Sequence, residues 1–145
     1  MIRVEVNADA AIRRFGVLVS ESRDRRVPNR QLATQLTGWT LRNFQSGGSL
    51  QTPVWAPLKA ATAKRKAKRG YSAIPLIRTG HYRQSFRPFY DNDTAGTGSE
   101  VPCSKYHETG TRHLPQRAAL PSENVALGYA VQIYERWAAN LARSA

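Results

Sequence analysis

Cys103, His107, Glu108 and His113 lie close together in the sequence, and their side chains are the ones best suited to nucleophilic or metal chemistry. A cysteine four residues before a histidine can be drawn as a nucleophile and its base. The imidazoles and the carboxylate can be drawn as metal ligands, with His81 as the remaining histidine. The spacings match neither a metalloprotease helix nor a zinc finger. A single cysteine excludes an intrachain disulfide and a Cys-based zinc cluster, and it suits a reducing compartment. The simpler reading makes Cys103 a small buried residue and the histidines ordinary loop residues. Gly96-Thr97-Gly98 lacks the third glycine and the following helix of a phosphate-binding loop, and Gly47-Gly48 follows a helix instead of preceding one. Asp91 and Asp93 fall in a turn, so no carboxylate pair is evident. The expectation is a protein without catalytic residues, metal or cofactor.

Charge is the stronger signal. The 145 residues carry 22 Lys and Arg against 10 Asp and Glu, a formal net charge of +12. Lys59, Lys64, Arg65, Lys66, Lys68 and Arg69 supply half of that excess from one short stretch without an acid. Such a run can neutralise several phosphates without reading sequence. It can equally grip an acidic protein or simply face solvent. The run itself holds no aromatic residue until Tyr71, which argues against base stacking, and no helix-turn-helix, RRM or KH signature is present.

These residues need elements to position them. Ile2, Val4 and Val6 alternate with charged residues as in a short strand. Asp9 can cap a helix from Ala10 to about Ser22, with Ile12, Phe15, Leu18 and Val19 on one face. Arg23 to Arg26 and Pro28 read as a polar connection. Asn29 then caps a second helix, striped by Leu32, Leu36, Trp39 and Phe44 and ended by Ser46-Gly47-Gly48-Ser49. A loop over 46–58 leads to a short basic helix closed by Gly70, and His81 to Ser85 adds a turn or two. Phe86 to Tyr90 and Thr94 to Val101 form a hairpin about Asp91-Asn92-Asp93. Gly96 and Gly98 leave a bare patch that something bulky must cover. Residues 102–120 read as a long extended loop, the kind that is often functional. Pro121 and Glu123 open a last helix, with Ala126, Tyr129, Ala130, Ile133, Trp137 and Leu141 on one stripe. Leu127, Val131 and Tyr134 widen it enough for contact with more than one surface. The reading is one α+β domain over 1–145. Two N-terminal helices and a long C-terminal helix pack on a small antiparallel sheet. No apolar run is long enough to span a membrane, and the N-terminus lacks a signal-peptide core.

Five short motifs then stand in order: Trp55-Ala56-Pro57-Leu58 followed by Thr62 and the lysines; Leu76-Ile77-Arg78-Thr79-Gly80 with Ser85; Gly96-Thr97-Gly98-Ser99; Tyr106-His107-Glu108-Thr109-Gly110; and Leu114-Pro115-Gln116-Arg117. Their order and spacing over roughly residues 40 to 120 resemble the phage virion morphogenesis family of tail completion or neck proteins. The chain departs from the family pattern at His81-Tyr82, in the compressed Tyr106-His107, and at Ala118-Ala119-Leu120, which lacks a Pro-Phe. The resemblance implies an α+β fold and a structural role in the neck of a virion assembled in the host cytoplasm. It implies a homo-oligomeric ring, with a hexamer favoured, between the connector and the tail tube. Connector or stopper proteins and tail terminator or tube proteins are then the partners, with the basic run near genomic DNA or an acidic partner.

A ring needs heterologous contacts that close by rotation. Trp55, Tyr106, His107, Leu114, Pro115, Arg117 and Trp137 are the candidate interface residues. Arg117 is the candidate for bidentate bonding to a neighbouring subunit or within its own chain, and Trp55 suits a core anchor or an interface. The alternative function is a small, basic, nonspecific nucleic-acid-binding protein.

Overall fold

The computed structural model describes Gly16, Ser20 and residues 22–144. The Ile2–Val6 strand and most of the first predicted helix lie outside the described residues. Gly16, Ser20 and Ser22 are helical, and a turn follows at Arg23.

Seven elements follow in chain order: α1 (Arg26–Gln45), α2 (Ala60–Lys68), α3 (His81–Gln84), β1 (Arg87–Tyr90), β2 (Ala95–Gly98), α4 (Ser104–Thr109) and α5 (Glu123–Ser144). The fold mixes helices with a two-stranded antiparallel sheet, in the register Arg87↔Gly98 to Tyr90↔Ala95. Asp91 closes the hairpin by accepting from the backbone N–H groups of Asp93 and Thr94, both at 2.7 Å. The ring of Phe89 lies over Gly96, where a Cβ would stand 2.4 Å from it, and so covers the bare patch.

The second helix begins three residues before the expected cap. Asp24 Oδ1 accepts from the Arg26 N–H (3.2 Å), and the hairpin turn contributes Asn92 Oδ1 to the Arg25 N–H (2.8 Å). Asn29 is buried inside the helix. It donates to the Asp91 carbonyl (2.8 Å) and accepts from the Tyr134 hydroxyl, joining α1, the hairpin and α5. Its polar side chain is spent on tertiary bonds and not on capping.

Leu36, Trp39 and Phe44 of the predicted stripe are buried and Leu32 is half-buried. Helix α1 packs across both strands. Thr37 Oγ1 reaches Thr97 Oγ1 at 2.9 Å. The core centres on Phe44, which meets Trp55 and Tyr82 edge-on at 5.4 and 5.3 Å between ring centres and Phe86 at 5.6 Å. Each such pair adds about 0.5–1.5 kcal/mol beyond simple burial. Gly48 turns the chain at φ 84°, and a Cβ there would sit 2.0 Å from the Trp55 ring.

Helix α5 packs chiefly on α1 and not on the sheet. Ile133 is buried and Ala126, Tyr129, Ala130, Trp137 and Leu141 are half-buried, as their spacing predicts. Leu127 and Val131, from the wider part of the stripe, face outward at 61% and 46% exposure.

Candidate functional site

The expected long loop over 102–120 is a helix followed by a pinned strap. Ser104–Thr109 forms α4, and Gly110 ends it at φ 74°. A Cβ at Gly110 would stand 3.0 Å from the Gln116 backbone nitrogen, so this glycine lets the strap return past the helix end. The Arg117 N–H then donates to the His107 carbonyl at 2.9 Å. Gln116 Nε2 donates to the Glu108 carbonyl at 2.7 Å. Glu108 Oε1 accepts from the Ala119 N–H (2.7 Å) and, more distantly, from that of Leu120 (3.3 Å). Burial raises the Glu108 pKa, and these two bonds oppose the rise.

The other side of the strap is held from the core. The Ala118 carbonyl accepts from Trp55 Nε1 (2.7 Å), Gln51 Nε2 (3.0 Å) and Asn43 Nδ2 (3.3 Å). Gln51 also donates to the Leu120 carbonyl at 2.6 Å. Arg117, 9% exposed, donates through Nε to the Ala56 carbonyl (2.8 Å) and through Nη2 to that of Pro57 (3.0 Å). The strap from Arg117 to Leu120 is therefore fixed, while 111–116 projects as an exposed tip.

Two of the candidate interface residues are thus internal. Arg117 spends its fork on carbonyls of its own chain, and Trp55 lies in the aromatic core. His107 is half-buried with its ring 5.5 Å from that of Tyr82. Burial lowers its pKa, and the Arg117 charge adds to the lowering. Trp137 is half-buried, edge-on to Tyr134 at 5.7 Å. Tyr106, Leu114 and Pro115 are exposed, and Lys105 Nζ sits over the Tyr106 ring at 4.9 Å. Cys103, expected to be buried, is exposed just before α4. Among the described residues, no group of three His, Cys, Asp or Glu is placed to hold a metal.

The tip faces the start of α2 across an open groove of about 760 Å³. Pro57, Leu58, Leu114 and Pro115 give it apolar walls, and Lys59, Arg65 and Arg112 add cations. Ala56 to Leu58 of the first motif, Thr62, and Leu114, Pro115 and Arg117 of the last thus line one groove.

The basic run divides. Lys59, Lys64, Arg65, Lys68 and Arg69 are exposed. Lys66 is half-buried and donates to the carbonyls of Ile74 and Ile77, both at 2.7 Å. Burial lowers its pKa. Helix α2 buries no residue, has no acid in its first turn and no side-chain cap. A nine-residue helix of that kind has little intrinsic stability; the Lys66 bonds tie it to residues 71–78, together with the Tyr71 N–H, which donates to the Lys66 carbonyl at 3.0 Å. They also bring Arg65, Arg69 and Arg78 around a second cleft of about 410 Å³ with Tyr71. The contributions of Gln51, Asn43, Arg112 and Arg78 have no signature in the sequence, because the groups they face are distant in the chain or set by loop geometry.

What the geometry defines is an α+β protein whose motif residues brace a projecting tip and a cationic helix. The phage virion morphogenesis family matches over residues 6–134, and the chain belongs to that family. No curated protein and no solved structure matches it. Family membership associates the chain with virion morphogenesis. Among the described residues, no helix is long and apolar enough to cross a membrane.

Proposed function

We propose that the chain is a structural component of the phage neck, a homo-oligomeric ring that completes the tail or joins it to the filled head. The family supplies the setting. The observation that carries the contact role is the 111–116 tip: it is exposed throughout, yet the strap behind it is anchored through Arg117 and Ala118. An exposed loop held this firmly presents a fixed surface, which lowers the ordering cost of binding. Its partners in this reading are the next subunit, a connector or stopper protein on one side, and a tail terminator or tube protein on the other. The chain acts by assembly, with no catalytic step and no cofactor.

The exposed cations of α2 belong to the same reading. Repeated around a ring, Lys64, Arg65, Lys68 and Arg69 would line a channel that the genome crosses, in contact with phosphates irrespective of sequence. Size measurement by light scattering at high salt, with labelling of the protein in virions, tests the proposal. A discrete oligomer located at the neck is the expected result. A monomer that binds any duplex DNA tightly and is absent from virions would replace it with the nonspecific nucleic-acid-binding alternative.

A further inference from the structure

Helix α5 carries a ridge at four-residue spacing that no described residue covers: Glu123, Leu127, Val131 and Glu135, all exposed. Residues so spaced lie one above the next on a helix surface, and this ridge extends about 18 Å. The aliphatic pair occupies the middle and a carboxylate stands at each end. Among the described residues, the carboxylates that make no hydrogen bond or ion pair are Glu100, Glu123 and Glu135. Two of these three therefore flank the exposed apolar pair.

The groove beside the 111–116 tip has the complementary composition, apolar walls with cations. Its apolar walls include Leu58 and Leu114, the latter 43% exposed, and its cations include Lys59 and Arg112. Neither Lys59 nor Arg112 is in an ion pair with a described residue. A phosphate backbone would satisfy the cations and leave the apolar walls without a partner. An acid–apolar–apolar–acid helix face satisfies both.

We infer that the ridge of α5 docks in the 56–59/111–115 groove of a second copy of this chain. The occupant is identified by charge complementarity, since the same chain carries both halves of the match. The two surfaces differ, so the contact is heterologous, and repeating it gives a ring if the rotation closes. The inference rests on the ring reading above and specifies its subunit contact.

Reciprocal charge reversal tests it. One variant carries Glu123→Lys and Glu135→Lys, which reverses the ridge; the other carries Lys59→Glu and Arg112→Glu, which reverses the groove. All four positions are exposed, and thermal melting verifies that both variants are folded. Each variant alone sets like charges against each other, and its self-association is expected to weaken at least about 100-fold. Mixed, the reversed ridge faces the reversed groove, and the native ridge faces the native groove. The mixture is therefore expected to regain the oligomer, with the two variants alternating. Leu127→Glu should also abolish assembly, and no charge change at Lys59 or Arg112 should rescue it. If the native chain assembles and both variants alone assemble equally well, the docking is wrong and the ring stands. If the native chain stays monomeric up to its solubility limit, the ring reading falls and takes the docking with it.

Discussion

Arg117 separates bracing from assembly. Its guanidinium is nearly buried, yet it is in no ion pair with a described carboxylate; its described partners are the Ala56 and Pro57 carbonyls at 2.8 and 3.0 Å. A hydrogen bond to a charged group contributes about 1.5–3 kcal/mol net. Two such bonds would give about 3–6 kcal/mol, but burial of the cation opposes them, as the lowered Arg117 pKa indicates. Arg117→Met keeps most of the aliphatic packing and removes both bonds and the charge, so the expected loss is about 2–3 kcal/mol. For a domain of this size that corresponds to a fall in Tm of about 6–10 °C. Arg117→Lys should recover part of it, since an ammonium lacks the planar fork. Denaturant titration measures the loss, and limited proteolysis should find new cleavage near residues 56–59. If Arg117→Met is as stable as the native chain but fails to assemble, the arginine works at a subunit contact and its bracing role is refuted.

The Tyr82 hydroxyl is buried without a hydrogen-bond partner among the described residues, so Tyr82→Phe should be neutral or raise stability by up to about 1 kcal/mol; a clear loss in a thermal melt would mean the hydroxyl is satisfied. Lys66→Met should leave the core intact while amide exchange in 60–69 accelerates at least about tenfold, because the two side-chain bonds that tie α2 to residues 71–78 are gone; unchanged exchange would show that α2 is held otherwise. The folded-state pKa of His107 lies below its ordinary 6.5, so the folded protein binds fewer protons and stability should fall as pH drops through 6.5 toward the lowered value. Glu108 has the opposite sign: its folded pKa lies above 4.5, so protonation on acidification relieves a cost. His107→Gln should therefore flatten the near-neutral arm of the stability–pH curve, and an unchanged arm would assign the loss elsewhere. Gly48→Ala should cost about 3–5 kcal/mol from backbone strain and overlap with the Trp55 ring, read as a lowered denaturation midpoint.

Elements defined by long period were legible in the sequence. Leu36, Trp39 and Phe44, and Ala126 through Leu141, recur often enough to define a face before any fold is known. The hairpin was legible because Asp91-Asn92-Asp93 has few conformations other than a turn. Helix α4 was not, because six residues with none buried leave no apolar period to detect. Asn29 looked like a cap because its type suits that role, whereas its actual partners are 62 and 105 positions away. Lys66 was indistinguishable from its basic neighbours because its partners, the Ile74 and Ile77 carbonyls, are placed by loop geometry that leaves no pattern in the sequence. The motif order exposed the family. It could not reveal which motif residues face inward, since Trp55 and Arg117 are residue types equally suited to a core or an interface.

That inward placement has a physical logic. Trp55 donates to Ala118, Arg117 to Ala56 and Pro57, and Ser85 pairs with Ser99 at 2.6 Å. These bonds cross between motifs and fix their relative positions. A ring multiplies any error in one contact by its number of subunits, because a heterologous contact that rotates incorrectly yields an open helix instead of a closed ring. In the ring proposed above, a rigid frame matters more than a strong single contact. The bracing residues supply the frame, and the outward residues need only complement a neighbour. The tip and the α5 ridge are therefore where sequence can change without loss of the fold, provided both halves of a contact change together. Single changes at Leu114 or Leu127 should alter assembly and leave the melting curve in place. Changes at Trp55 or Arg117 should do the reverse until the fold fails, and it is this division that makes the two roles separable by experiment.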